Sequence, residues 1–198
     1  MNGLINRAIQ CFLRDGWGMA AWLDAALAAG VAPRGFEPML DYPPEVTARL
    51  LQAASDRLDR SADDLLEDLG TYLVSHPSRA AVRRLLRFGG TDFREFLQSL
   101  EDLPARARLA LPDLALPAMR LEPVGGDEFR LTIAPGFAGA GAVALGLLRA
   151  MADDYGALAV LEAGTEASDG ASDGAAVLTI RLLDADHAEG RAFTLGAV

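Results

Sequence analysis

Few side chains in this sequence are equipped for chemistry. Cys11 is the only cysteine, and His76 and His187 are the only histidines. A single cysteine builds no disulfide framework, which fits a reducing cytoplasm. A structural zinc site takes four such ligands, more than one cysteine and two distant histidines supply. His76 precedes Pro77 at a helix end, where a histidine usually caps or is solvated. His187, in DADHAEG, is expected on the surface, and Cys11 is expected to pack in the core. The acidic pairs Asp63/Asp64 and Asp153/Asp154 read as solvated helix ends. No nucleophile, base and orienting group nominate themselves together, so an enzyme is not the expected class.

Two stretches ask for a closer look. GAGAVA, residues 139–144, matches the loose dinucleotide fingerprint G-x-G-x-x-A, with Glu162 at a suitable distance. Five residues separate Ile133 from Gly139, where that motif should leave its strand directly, and only 36 residues follow Glu162. Tight helix packing explains the small residues better. The second stretch, SLEDLPARARLAL at 99–111, places a proline in a helical run. Phe93, Phe96, Leu97 and Leu100 repeat at helical spacing, and position 104 falls near them on the wheel. Pro104 is therefore expected to face the interior, to be substantially buried, and to end or kink its helix, because it has no N–H and its ring crowds the preceding turn.

The bulk numbers bound the class. The chain has 198 residues, is 51% hydrophobic, and carries a formal net charge of −10. It is long enough to bury a sizeable core. Its acidity argues against nucleic acid as a partner. The N-terminal MNGLINRAIQCF lacks the apolar run and cleavage site of a signal peptide. The uncharged stretch 131–148 just reaches membrane-spanning length, but Pro135 and four glycines interrupt it, so no membrane span is expected.

The elements that must position these residues follow from periodicity. Helices are predicted over 3–14 and 18–29, then from Pro43 and Pro44 through Ala54, from a Ser61 cap through Leu73, and over 79–88. A last helix, capped by Thr91, runs to about residue 103. Beyond Pro112, strands at 119–124 and 128–133 flank VGGD, a hairpin signal. A helix at 140–153 and strands at 157–162 and 176–183 follow. The segment 164–175 between the last two is a polar hairpin connection with no assigned role. The fold class is α+β: a helical part over 1–112, then a β-β-α-β-β part over 113–198 with a four-stranded antiparallel sheet and the 140–153 helix on one face.

Taken together, MNGLIN, LLEDLGTYLV, FREFLQSLEDLPARARLALPDLALP and GLLRAMADDYG resemble segments of the haem–nitric oxide/oxygen binding (H-NOX) family across nearly the whole chain. The resemblance implies one domain with a helical N-terminal part and an antiparallel sheet crossed by a helix. It also implies haem b as cofactor, nitric oxide or oxygen as signal, and a cyclase, kinase or diguanylate cyclase as partner. In the family pattern the proline stretch reads roughly N-L-H-x-R, and its histidine is the axial iron ligand. Here Asp102, Leu103 and Pro104 stand there. The family's Y-x-S-x-R motif, which holds the haem propionates, maps onto Ile133, Pro135 and Phe137. Ile5 and Ile9 match the distal wall of its cavity, with Pro104, Ile133 and Phe137 forming the opposite wall and mouth.

Proline has no lone pair for iron, and three apolar side chains replace two hydroxyls and an arginine fork. The resulting expectation is a cytoplasmic signalling domain of H-NOX type that uses an apolar ligand or a protein partner in place of conventional haem. The alternative is a genuine haem-binding gas sensor with unusual ligation.

Overall fold

Local signals place most of the helices. The computed structural model describes residues 3–164 and 174–193. Helix α1 runs Gly3–Ala29, and Gly18, at φ 87 and ψ 170, breaks it into the two stretches the periodicity predicts. Only glycine adopts that φ without strain. Helix α2, Pro44–Leu58, begins with proline in its first turn. Helix α3, Ala62–Ser75, is capped by Ser61, whose hydroxyl accepts from the Asp64 amide. Helix α4, Ala80–Arg87, follows a short 3-10 turn at Pro77–Arg79.

The next stretch departs from expectation. Helix α5 covers only Phe93–Gln98, a 3-10 turn covers Ser99–Asp102, and helix α6 resumes over Leu103–Ala110. Pro104 therefore sits in the first turn of a new helix instead of ending one. Nor does it carry the buried stripe. Leu103 and Ala107 are 4% and 1% exposed, while Pro104 is only half-buried. A 3-10 turn advances about 20° more per residue than an α-helix, so four such residues rotate the following face by roughly 80°. Asp92, not Thr91, is the N-cap of α5. Its carboxylate accepts from the Glu95 amide at 2.8 Å, and Thr91 instead donates through both its amide and hydroxyl to Glu95.

Four strands follow: β1 Met119–Gly125, β2 Glu128–Ile133, β3 Leu158–Ala163 and β4 Ala176–Asp184, with helix α7, Ala140–Tyr155, between β2 and β3. The sheet order is β1-β2-β4-β3, and every neighbouring pair is antiparallel. The predicted four-stranded α+β architecture is the one observed. Strand alternation turns Phe129, Leu131 and Ile133 inward and leaves Arg130 outside. Most of the 164–175 connection lies outside the described residues.

Two apolar clusters hold the chain. The first packs Ile9, Phe12, Leu13 and Trp22 of α1 against Leu50 of α2 and Leu65 of α3. The second joins Phe93, Phe96, Leu97 and Leu100 to α7 and to the inner face of the sheet, drawing on both sides of residue 112. The crossing of α3 and α7 links them at very close range. A Cβ on Gly70 would meet the Val143 carbonyl oxygen at 2.1 Å, and one on Gly146 would meet that of Glu67 at 1.8 Å. Gly146 thus serves helix packing, while within GAGAVA a side chain at Gly139 would meet Leu66 of α3 and one at Gly141 would meet Ala176 of β4.

Candidate functional site

Strand β2 ends at Ile133, which is 1% exposed, and the chain leaves the sheet through Pro135 and Phe137. Gly139, at φ 85, then starts α7. A side chain at Gly139 would strike Leu66 of α3, so this connection lies against the first turns of α3. Between them opens a cleft of about 620 Å³. Ile133, Pro135, Phe137, Leu145, Val177 and Leu178 give it an apolar lining. Asp63, Asp64 and Glu67 of α3 supply its charged groups, and no basic residue lines it among the described residues. Asp63 and Asp64 are exposed, as expected of a helix end, whereas Glu67 pairs with Arg149.

Ile133, Pro135 and Phe137 all line this cleft, and so do Ala134 and Gly136 between them, so the alternate spacing picks out no face here. Pro104, Ile5 and Ile9 do not line this cleft. Ile9 is 2% exposed within the first core cluster, and Ile5 packs against that cluster's edge. Cys11 is buried there too. His76 is spent on local structure. Its Nδ1 accepts from the Ser78 amide at 3.3 Å and contacts the Ser78 hydroxyl at 2.8 Å, while its ring packs on Tyr72. His187 is exposed beside Asp184. Among the described residues, no group of three or more histidine, cysteine or acidic side chains could hold a metal ion. No described helix is long and apolar enough to cross a membrane.

One acidic residue reads differently in three dimensions. Asp154 is not a solvated helix end: it is 1% exposed. Its Oδ1 accepts from Arg83 Nε at 2.7 Å, and Arg87 and Arg191 lie 3.7 and 3.9 Å from its carboxylate. Its carbonyl accepts from the Arg191 amide, and Arg83 donates onward to the carbonyls of Arg191 and Ala192. The charge is buried because three arginines from α4 and the C-terminal segment surround it. No sequence signal marks this arrangement, since Arg83 lies 71 residues away. Beside it Arg87 stacks 3.9 Å above the Tyr155 ring, whose hydroxyl donates to the Gly90 carbonyl at 2.9 Å. Burial pushes the Tyr155 phenol up to about 12.

Tyr72 and Asp15 form a second such pair. The Tyr72 hydroxyl donates to Asp15 at 2.7 Å. That hydrogen bond, with help from Arg14, holds the Asp15 carboxyl below its ordinary range, while burial raises the phenol.

The residues at the positions matched to haem contacts do not fit that group. Pro104 offers no lone pair to iron. Around Ile133, Pro135 and Phe137 the described lining residues supply carboxylates, with no hydroxyl or cation among them for a propionate.

The family model described as Haem-NO-binding matches residues 2–161. Soluble guanylate cyclase gcy-31 of Caenorhabditis elegans is 25% identical over 122 residues, 62% of this chain and 17% of that protein. Soluble guanylate cyclase 89Db of Drosophila melanogaster is 21% identical over 155 residues, 78% of this chain and 23% of that protein. The chain therefore spans about a fifth of the length of these relatives. Among solved structures, the Fe(II) unliganded H-NOX protein from K. algicida aligns at a TM-score of 0.73 with 20% identity, covering 98% of this chain and 100% of that one. The H-NOX protein from S. oneidensis in the Fe(II)NO state aligns at 0.73 with 17% identity, covering 93% and 100%. At such identities the structures establish a shared fold, and the family match carries the assignment: this chain belongs to the haem-NO-binding family.

Proposed function

We propose that this protein is an H-NOX-type signalling domain that works without conventionally ligated haem. It takes an apolar ligand in the cleft at the end of β2 and passes the signal to a protein partner of the cyclase, kinase or diguanylate cyclase class. The observation that carries this reading is the cleft itself. The three positions matched to the family's propionate clamp come together there as Ile133, Pro135 and Phe137, beside carboxylates. A haem seated there would find no cationic side chain for its propionates among the described lining residues and would set them beside like charge.

The test is an absorption spectrum of protein purified from haem-replete cells, with mass spectrometry of whatever co-purifies. The expected spectrum has no Soret band at stoichiometric intensity, and the expected co-purifying species is apolar. One tightly bound haem per chain overturns the proposal. Loss of that band on His76→Ala would then identify the ligand of the alternative haem sensor.

A further inference from the structure

We infer that the outward face of α4 is a docking surface for an acidic segment of a protein partner, with Arg84 and Phe88 as its contacts. The inference does not depend on the reading of the cleft: α3 presents its first turn to the cleft, and α4 follows from its other end. Ala80, Ala81, Arg84 and Phe88 recur three or four residues apart, so they share one side of the helix. All four are exposed, Phe88 at 68%. On the other side Leu86 is buried and Val82 packs against the second apolar cluster. A helix that meets only water carries charged and polar residues on its outer side. This one carries two alanines, an arginine and a phenylalanine.

Charge complementarity decides the occupant. Residues 69–91 hold Arg79, Arg83, Arg84 and Arg87 and no acidic residue, in a chain whose net charge is −10. Arg79 lies over the Tyr72 ring, and Arg83 and Arg87 turn to Asp154. Arg84 alone of the four has no ion pair or side-chain hydrogen bond among the described residues. Arg191 of the C-terminal segment, 57% exposed, adds a third arginine to the one carboxylate of Asp154. The acids next along the chain do not offset this excess. Asp92 and Glu95 are taken up by the start of α5, and neither Asp153 nor Glu189 is ion-paired among the described residues. Arginine beside an exposed aromatic ring is the composition that interface hot spots favour. A nucleic acid or an anionic membrane presents charge over a wide area and would meet the acidic remainder of the surface, whereas a short acidic segment meets this face alone.

The experiment titrates two helical peptides into the intact protein, alike in their leucine face and carrying either glutamate or lysine on the other. Fluorescence anisotropy reads the affinity, and the amide resonances of residues 80–88 report the place of binding. The glutamate peptide should bind and shift those resonances, and the lysine peptide should not, although the net charge of −10 by itself would favour lysine. Arg84→Ser should weaken the glutamate peptide about fivefold, the size of one good exposed charge contact, and flatten its salt dependence. Phe88→Ala should weaken it about tenfold, as loss of an aromatic anchor does. Both side chains are exposed, so both variants should keep the native circular dichroism. Arg130→Ser, on the outer face of the sheet, should change nothing. A preference for the lysine peptide, an affinity unchanged in either variant, or no shift at 80–88 with the glutamate peptide at about 1 mM would overturn the inference. Stronger perturbation of the same resonances by phosphatidylserine vesicles or single-stranded DNA would overturn it too, by assigning the face to a membrane or a nucleic acid. None of these outcomes bears on the cleft.

Discussion

Replacing Asp154 with asparagine removes one charge and almost no volume, so it isolates the buried ion pair. In the native protein its carboxylate is 1% exposed and faces Arg83, Arg87 and Arg191. Asparagine can still accept the 2.7 Å hydrogen bond from Arg83 Nε. What it cannot do is offset the charges of Arg83 and Arg87, whose side chains are 17% and 13% exposed. Breaking a buried pair by removing one partner costs about 3–5 kcal/mol. The retained hydrogen bond and the partial exposure of both arginines favour the lower end, about 3 kcal/mol. For a chain of this size that lowers Tm by about 6–12 °C.

Urea unfolding followed by circular dichroism measures the loss, and hydrogen exchange locates it. The Ala188 and Arg191 amides donate to the carbonyls of Gly156 and Asp154, so their protection should fall first. Arg191→Ala is the internal control. Its side chain is 57% exposed and stands 3.9 Å from the carboxylate, so its loss should cost below about 1 kcal/mol. If Asp154→Asn costs no more than Arg191→Ala, the buried pair does not hold the C-terminal segment, and the account of Asp154 is wrong.

Three further outcomes follow from the geometry. Gly146→Ala should destabilise by about 1–3 kcal/mol despite its better helix propensity, because the new Cβ meets the Glu67 carbonyl oxygen at 1.8 Å and neither backbone can yield easily. Gly16→Ala, with nothing within 4 Å, should be neutral or stabilising in the same chemical-denaturation assay, and equal effects at the two sites would refute the close α3–α7 crossing. Tyr155 should titrate near pH 12 by ultraviolet absorbance, against about 10 in an unfolded chain. Since the folded value is the higher, its contribution is complete below pH 10 and disappears as pH rises toward 12, and Tyr155→Phe should abolish that part of the pH dependence. Pro104→His alone should give at most weak, partial haem incorporation by Soret absorbance. Adding Ile133→Tyr, Pro135→Ser and Phe137→Arg should raise it, and full occupancy with the single change would show the propionate clamp to be dispensable.

The sequence by itself determined the elements and the chemistry that is missing. Ser61 before Asp64, the two prolines at 43–44 and the VGGD turn are local signals, and local signals survive folding because their partners lie within a few residues. Residue identity alone established that Pro104 offers no ligand to iron and that Ile133, Pro135 and Phe137 offer no donors to a propionate.

Tertiary structure decided the rest. The wheel placed Pro104 inward by assuming an unbroken α-helix from Phe93, but the 3-10 turn at Ser99–Asp102 rotated the face, so Leu103 and Ala107 are buried in its place. Asp154 looked solvated because nothing near it in sequence could neutralise it; Arg83 and Arg191 reach it only after α4 and the C-terminal segment pack against α7. The cleft was equally invisible. Asp63 and Phe137 lie far apart along the chain, and only the close crossing of α3 and α7, permitted by glycines at 70 and 146, sets carboxylates beside an apolar floor. Periodicity reports what a residue does within its own element, and a site made where elements meet depends on packing distances that no single element encodes.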